Sequence, residues 1–154
     1  MLPAALFNLS RLLRWQGAKT ASEPLLLILH IAYGWLCLGA GLLGASMLTP
    51  FVPQTAGIHA MTVGAIGTMI LAVMTRATRG HTGHALKADR GTSLLYGCVI
   101  AAAIVRIAAA FATGWTMPLL IAAAGLWIAP FVLFVIRYAP MLYLPREWPW
   151  LKAS

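Results

Sequence analysis

Four histidines and one isolated arginine are the residues of this chain with the clearest potential for chemistry. His30 and His59 lie within long apolar stretches, and His81 and His84 lie together in the segment RGHTGH. Imidazole nitrogens bind haem iron and copper, so these side chains are candidate ligands. Arg106 is the one full charge within another apolar stretch, where a guanidinium needs an anion or another polar partner.

The remaining side chains argue against most enzyme classes. The chain has only three acidic residues, and it contains no Ser-His-Asp set and no glycine-rich phosphate loop. Acid–base and hydrolytic catalysis therefore have little to work with, and no catalytic residue is assigned. Cys37 and Cys98 lie singly in apolar segments without a CxxC partner, and Met61 and Met69 are common packing residues, so we predict packing roles for all four.

The elements that carry these residues are predicted to be membrane helices. The chain is 61% hydrophobic and 9% charged, whereas about a quarter of the residues of a soluble domain are charged. Four apolar stretches are each long enough to cross a bilayer as a helix. We therefore predict an all-α, polytopic helical membrane protein with one four-helix domain over residues 25–136. Its spans are predicted at 25–48, 56–75, 93–113 and 117–136.

The positive charges predict the orientation of these spans. Ten of the eleven Lys and Arg residues lie in segment 1–24, in loop 76–92 or in tail 137–154, and the two other turns have none. By the positive-inside rule, both termini and the loop 76–92 are cytoplasmic. The net charge of +8 is then explained by anionic lipid and topology, and no nucleic acid is expected as a partner.

Residues 1–24 form a cytoplasmic or interfacial segment in this prediction. Its apolar start is too short to span and is followed by Arg11, Arg14 and Lys19. Two readings are open for this part of the chain. It forms an amphipathic helix on the membrane surface, or it is the end of a spanning helix, which is the reading we favour.

The predicted depths decide which candidate residues can share a site. His59 lies about one turn inside the external end of the second span. Arg106 lies ~19 Å along the third span, in the same outer half, so these two side chains can form one site. His30 lies near the cytoplasmic edge, so it pairs with a histidine on another helix or with His81 if the loop folds inward. The alternatives are hydrogen bonds between helices for the histidines, and snorkelling or carbonyl contacts for Arg106.

Small residues recur every four positions in the second span, at Ala60, Gly64, Thr68 and Ala72. On a helix this spacing makes one smooth stripe against which a neighbouring helix packs closely in a membrane. We predict that the second and third spans form the functional pair, with Gly64 allowing the close approach.

The segment IHAMTVGAIGTMILAVMTRATRGHTG at 58–83 closely resembles the NnrS family of membrane proteins. Weaker agreement covers RLLRW at 11–15, EPLLLILHIAYGWL at 23–36, Arg106 and IRYAPML at 136–142. Members of that family are linked to the response to nitric oxide and nitrosative stress and are described as binding haem and copper. They are longer, so this chain resembles their C-terminal part.

The resemblance implies a multi-pass protein of the bacterial inner membrane that holds haem and copper among its helices. For such a protein, the residues predict His59, His30 and Arg106 as cofactor-binding residues, with Arg106 able to bind a haem propionate or a small anion. His59, His30 and His81 are the predicted metal ligands, with His81 favoured over His84. Two alternatives stay open: a non-catalytic module that packs on partner helices or on a second copy, and half of an anion transporter that uses Arg106.

Overall fold

The computed structural model describes residues 1–15 and 17–143, which form helices and short connections without a strand. Four of these helices are long and apolar enough to cross a membrane, which confirms the predicted all-α fold with four spans. Two short 3₁₀ turns, Gly17–Thr20 and Thr113–Trp115, lie between helices. The helices are α1 (Leu2–Arg14), α2 (Pro24–Ser46), α3 (Gln54–His81), α4 (Arg90–Phe111) and α5 (Thr116–Tyr143).

The outer surface of the bundle is apolar. Large hydrophobic side chains are exposed along every spanning helix, among them Leu38, Ile70, Ile104, Ile128 and Val135. A water-soluble bundle of four long helices carries charged and polar side chains on its outer faces instead. The exposed faces of this bundle are therefore suited to lipid rather than to water.

The helix ends differ from the predicted spans for identifiable reasons. α3 continues through Arg76 and Arg79 and ends where Gly83 takes a left-handed conformation with φ 78°. α4 starts at Arg90 because the Asp89 carboxylate accepts a hydrogen bond from the Thr92 amide at 2.8 Å and caps the helix. The predicted loop 76–92 therefore shortens to 82–89. α5 runs to Tyr143, and the remainder of the predicted tail, 144–154, lies outside the described residues.

Helix α3 contains a π-helical segment, Ala60–Gly67, directly after His59. Such segments are rare and frequently occur at functional sites. Thr62 and Thr75 each donate their hydroxyl to the carbonyl four residues earlier, at 2.9 Å. The hydroxyl of Thr68, which follows the π segment and is fully buried, has no such partner among the described residues. A polar atom next to the π segment is thus unsatisfied inside the bundle.

The stripe of small residues on α3 is buried, as its spacing predicts, but its closest neighbour is α2. A Cβ atom added to Gly64 would lie 2.8 Å from the ring of Trp35 on α2, so no larger residue fits there without a shift. The predicted close approach at Gly64 therefore involves the first and second spans rather than the second and third.

Helix α1 runs antiparallel to α2. Its start, at Leu2, lies against Gly44, and Leu12 lies near Gly34. Beyond its end, the ring of Trp15 packs on Tyr33 with a centroid separation of 4.9 Å. This placement is that of a helix inserted beside a span rather than of one lying flat on the surface, because α2 is itself long enough to cross a bilayer.

The two ends of the bundle differ in their packing. We call the end at which residues 82–89 join α3 to α4 the loop end, and the end formed by residues 47–53 and 112–115 the turn end. The main hydrophobic core lies toward the loop end, where α2 to α5 all contribute side chains. It includes Leu25, Ile28, Leu71, Leu95, Val99 and Tyr138.

Candidate functional site

His59 and Arg106 come together toward the turn end of the bundle. His59 is part-buried near the start of α3, directly before the π segment. Arg106 lies on α4, about 8 Å of helix rise before that helix ends. The first residues of α3, Gln54–His59, pack against α4. The structure therefore places these two predicted site residues in one region.

A cavity of about 300 Å³ opens beside Arg106 and is formed by α3, α4 and α5. Arg106 is the only charged residue in its lining, and the guanidinium makes no hydrogen bond to any residue within 1–15 or 17–143. A cation that faces an apolar cavity without an acceptor favours binding of an anion or a carboxylate. The other lining residues are Val63, Leu120, Ala123, Ala124 and Trp127.

His30 lies toward the opposite end, in the loop-end half of α2. Its Nδ1 lies 3.1 Å from the carbonyl oxygen of Leu26, and its ring meets Trp15 edge-on. If Nδ1 donates this hydrogen bond, Nε2 is left as the ligating nitrogen. Because α2 and α3 are antiparallel, His30 and His59 lie at opposite ends of the pair and cannot bind one metal, as their predicted depths indicate.

His81 is exposed at the last residue of α3, and the Nδ1 of His84 lies 2.8 Å from the hydroxyl of Thr82. Across the described part of the chain, no three His, Cys, Asp or Glu side chains lie close enough together to hold a metal ion. The predicted metal ligands His59, His30 and His81 are therefore not brought into one site.

A group of connected polar side chains is centred on Arg79 at the loop end. Arg79 is 8% exposed. It donates hydrogen bonds to the Tyr138 hydroxyl at 3.3 Å, to the Ala85 carbonyl at 3.1 Å and to the Asp89 carboxylate at 3.3 Å. Arg137 donates to the same carboxylate oxygen at 2.7 Å. One acidic residue thus serves arginines from α3 and α5.

Thr92 completes this cluster, which we call the loop-end network and define as Arg79, Asp89, Thr92, Arg137 and Tyr138. The hydroxyls of Thr92 and Tyr138 are 2.7 Å apart. Burial alone would raise the pKa of Asp89, but the hydrogen bonds from Thr92 and Arg137 and the charge of Arg137 outweigh it and lower the pKa to about 2. The carboxylate is therefore ionised at every physiological pH.

Sequence reasoning missed this network because it placed Arg79 in a loop. A helical continuation would have put Arg79 on the same face as Ala72 and Thr75, at spacings of seven and four residues. Thr75 is buried there and shares a 2.5 Å hydrogen bond with the hydroxyl of Tyr96. The helical spacing of Thr75 and Arg79 is thus the sequence pattern that predicts this polar face of α3.

The network also joins two of the stretches that carry the family resemblance, TRATRGHTG and IRYAPML. Comparison with known proteins supports the resemblance itself: the family model for NnrS protein matches residues 1–146, nearly the whole chain. No protein of curated function and no solved structure matches. Given the extent of the family match, this chain, with its four membrane-spanning helices, belongs to the NnrS family.

Proposed function

We propose that this chain is an integral membrane protein of the nitric oxide and nitrosative-stress response that binds haem toward the turn end of its helices. His59 would ligate the iron, and Arg106 would pair with a propionate. The observation that carries the proposal is that His59 and Arg106 lie on packed helices toward the same end of the bundle, where a cavity opens beside Arg106. Membership of the NnrS family supports the biological role.

The residues present are compatible with a haem site. A single imidazole is enough to hold haem iron, and arginine is the side chain best suited to bidentate binding of a carboxylate. The cavity beside Arg106 is at the small end of the range for ligand pockets, so it suits the propionate edge of a haem rather than the whole macrocycle. Further surface would come from lipid or from partner helices.

The same residues do not fit a copper site. Copper in proteins is held by several imidazole, thiolate or thioether ligands that converge on one point. The described residues contain no group of three His, Cys, Asp or Glu side chains that could hold a metal ion, and His30 and His81 lie toward the other end of the bundle from His59. We therefore propose no copper chemistry for this chain.

When bound, haem would supply an iron atom that binds nitric oxide. The chain itself would orient the iron through His59, compensate the propionate charge through Arg106 and exclude water with the apolar walls around Val63 and Trp127. Nitric oxide is neutral and dissolves in lipid, so a site inside a bundle is accessible to it.

A reduced-minus-oxidised visible spectrum of the purified protein tests the haem proposal. We expect a Soret band and sharp reduced bands when haem is supplied during expression. His59→Ala should abolish them, and Arg106→Gln should lower haem retention. His30→Ala is the matched control, because it removes an imidazole from the other end of the bundle, and it should leave the spectrum unchanged. A flat spectrum from folded wild-type protein, or equal loss in both histidine variants, would refute the proposal.

The uncompensated charge of Arg106 also favours a second candidate, a site for a small anion in an anion-transporting assembly. This function predicts that chloride, compared with gluconate, raises the thermal stability of the haem-free protein, and that Arg106→Gln removes the effect. The exposed apolar face of α1, with Leu6, Phe7 and Leu13, favours a third role as a module that packs on partner helices. That role predicts co-purification with another membrane chain or a homo-oligomer.

A further inference from the structure

A groove of about 410 Å³ lies at the loop end between α2 and α3, on the outer surface of the bundle. It is separate from the His59–Arg106 region, which lies toward the turn end. Its walls come from Leu29 of α2, from Val73, Arg76 and His81 of α3, and from Leu86 of the connecting loop.

The lining changes from apolar to basic along the axis of α3. Val73, Ala77 and His81 recur every four residues and Arg76 lies three residues after Val73, so all four line one continuous face of the helix. Val73, the first of them, is exposed at the level of the apolar span, and His81, the last, is at the end of the helix. A groove with this polarity matches a molecule that has an apolar chain and a polar head.

Within residues 1–15 and 17–143, no acidic side chain pairs with the basic residues of this groove. Asp89, the acidic residue of the adjoining loop, is already bound to Arg79 and Arg137. Glu23, at the start of α2, forms no ion pair with any residue in the described ranges. Arg76 likewise makes no hydrogen bond or ion pair there, although Arg79, one turn later, has three acceptors. The guanidinium of Arg76 is thus available to an external anion.

The carboxyl end of α3 would normally disfavour an anion, because the last carbonyls of a helix carry partial negative charge. Here three of the last four carbonyls are occupied. The amide of Thr82 donates to the carbonyl of Thr78, the amide of His84 to that of Arg79 and the amide of Gly83 to that of Gly80. The groove therefore presents the side chains of Arg76 and His81 rather than free carbonyl oxygens.

We propose that this groove is a binding site for one anionic phospholipid, with the phosphate on Arg76 and His81 and an acyl chain along Leu29 and Val73. Basic pockets between membrane helices are known to take lipid head groups of this kind. The proposal does not depend on the haem site, because the two regions lie at opposite ends of the bundle.

Native mass spectrometry of the full chain in detergent, titrated with phosphatidylglycerol or phosphatidylcholine, tests this proposal. We expect one phosphatidylglycerol to bind with about fivefold to tenfold higher affinity than phosphatidylcholine. Arg76→Gln should remove that preference, and Arg76→Lys should largely keep it. Lys87→Gln is the matched control, because it deletes a charge from the same loop end outside the groove lining, and it should leave the preference unchanged.

Three results would overturn the proposal. Equal affinity for both lipids would show that the groove does not select charge. An equal loss in Lys87→Gln would show that the preference comes from the diffuse charge of the loop end. Full competition by inorganic phosphate would show an anion site that makes no use of the apolar wall. A thermal unfolding scan of each variant separates loss of binding from loss of fold.

Discussion

Arg79 and Arg106 each lie on a membrane-spanning helix, yet their surroundings are opposite. Arg79 is buried at the loop end, where a carboxylate, a carbonyl and a hydroxyl accept its hydrogen bonds. Arg106 is part-buried toward the turn end, beside a cavity, and no described residue accepts a hydrogen bond from it. A charge is costly to insert into a membrane. At Arg79 the protein supplies acceptors for it, and at Arg106 the described residues leave it available to a ligand.

These surroundings indicate a structural role for Arg79 and a binding role for Arg106. The loop-end network ties α3, α4 and α5 together and needs no outside partner. The turn end has a histidine, an unsatisfied arginine, a π-helical segment and a cavity, and these features are typical of a place where a ligand completes the structure. Substitutions at the two ends should therefore affect different properties.

Arg79→Met should give the largest loss of stability. It removes a nearly buried cation whose partners, Asp89 and Tyr138, then keep fewer hydrogen bonds, and we expect the free energy of unfolding to fall by about 3 kcal/mol. Unfolding in mixed micelles with increasing dodecyl sulfate measures this change. Arg76→Met is the control, since Arg76 has no hydrogen-bond or ion-pair partner within residues 1–15 and 17–143, and it should change stability by less than about 0.5 kcal/mol. Equal losses of stability in the two variants would mean that the positive charge on α3, and not the loop-end network, stabilises the fold.

Asp89→Asn should have a smaller, pH-dependent effect. The pKa of Asp89 is about 2 in the folded protein, below the value of about 4 for an unfolded aspartate. Its ionised form thus stabilises the fold above about pH 4, and this contribution disappears as the pH falls through 2. Because the side chain is 45% exposed, we expect the loss at pH 7 to be only about 1 kcal/mol.

Stability curves of the wild type and Asp89→Asn between pH 7 and pH 2 check this prediction. The two curves should run parallel from neutral pH down to about pH 4 and converge near pH 2. A gap that stayed constant over the whole range would show that Asp89 acts through its shape and capping, and not through its charge.

Arg106→Met should have the smallest effect on stability and the largest on ligand binding. Replacing an unpaired, part-buried cation with an apolar side chain should leave the free energy of unfolding unchanged or raise it by up to about 1 kcal/mol. Haem retention, measured from the Soret absorbance per protein, should fall in the same variant. If Arg106→Met instead destabilises the protein as much as Arg79→Met does, the proposed contrast between the two ends is wrong.

The membrane fold could be predicted from the sequence because length and apolar character are properties of consecutive residues. The ends of the helices were harder to predict. Gly80 and the neighbouring basic residues predicted a loop after residue 75, but α3 tolerates them and ends only where Gly83 adopts a left-handed conformation. The cap at Asp89 is a local signal, and it would have given the correct start of α4.

For the candidate site, the sequence predicts how deep each residue lies but not which side chains meet. The depths of His59 and Arg106 follow from counting residues along two helices, which requires no knowledge of how the helices are rotated. The network of Arg79 with Tyr138 joins residues that are 59 positions apart, so it depends on rotation and packing. The π segment also changes the phase of the helix after residue 60, and a regular 3.6-residue pattern does not describe the faces beyond it.

Asp89 has a mechanical consequence for the bundle. This one carboxylate caps α4 and binds side chains of α3 and α5, so three helices are fastened to a common point at the loop end. No side-chain hydrogen bond joins these helices at the turn end within the described ranges. Thermal motion should therefore spread the helices about Asp89 as a pivot, and the gap should widen most at the turn end, around the cavity beside Arg106.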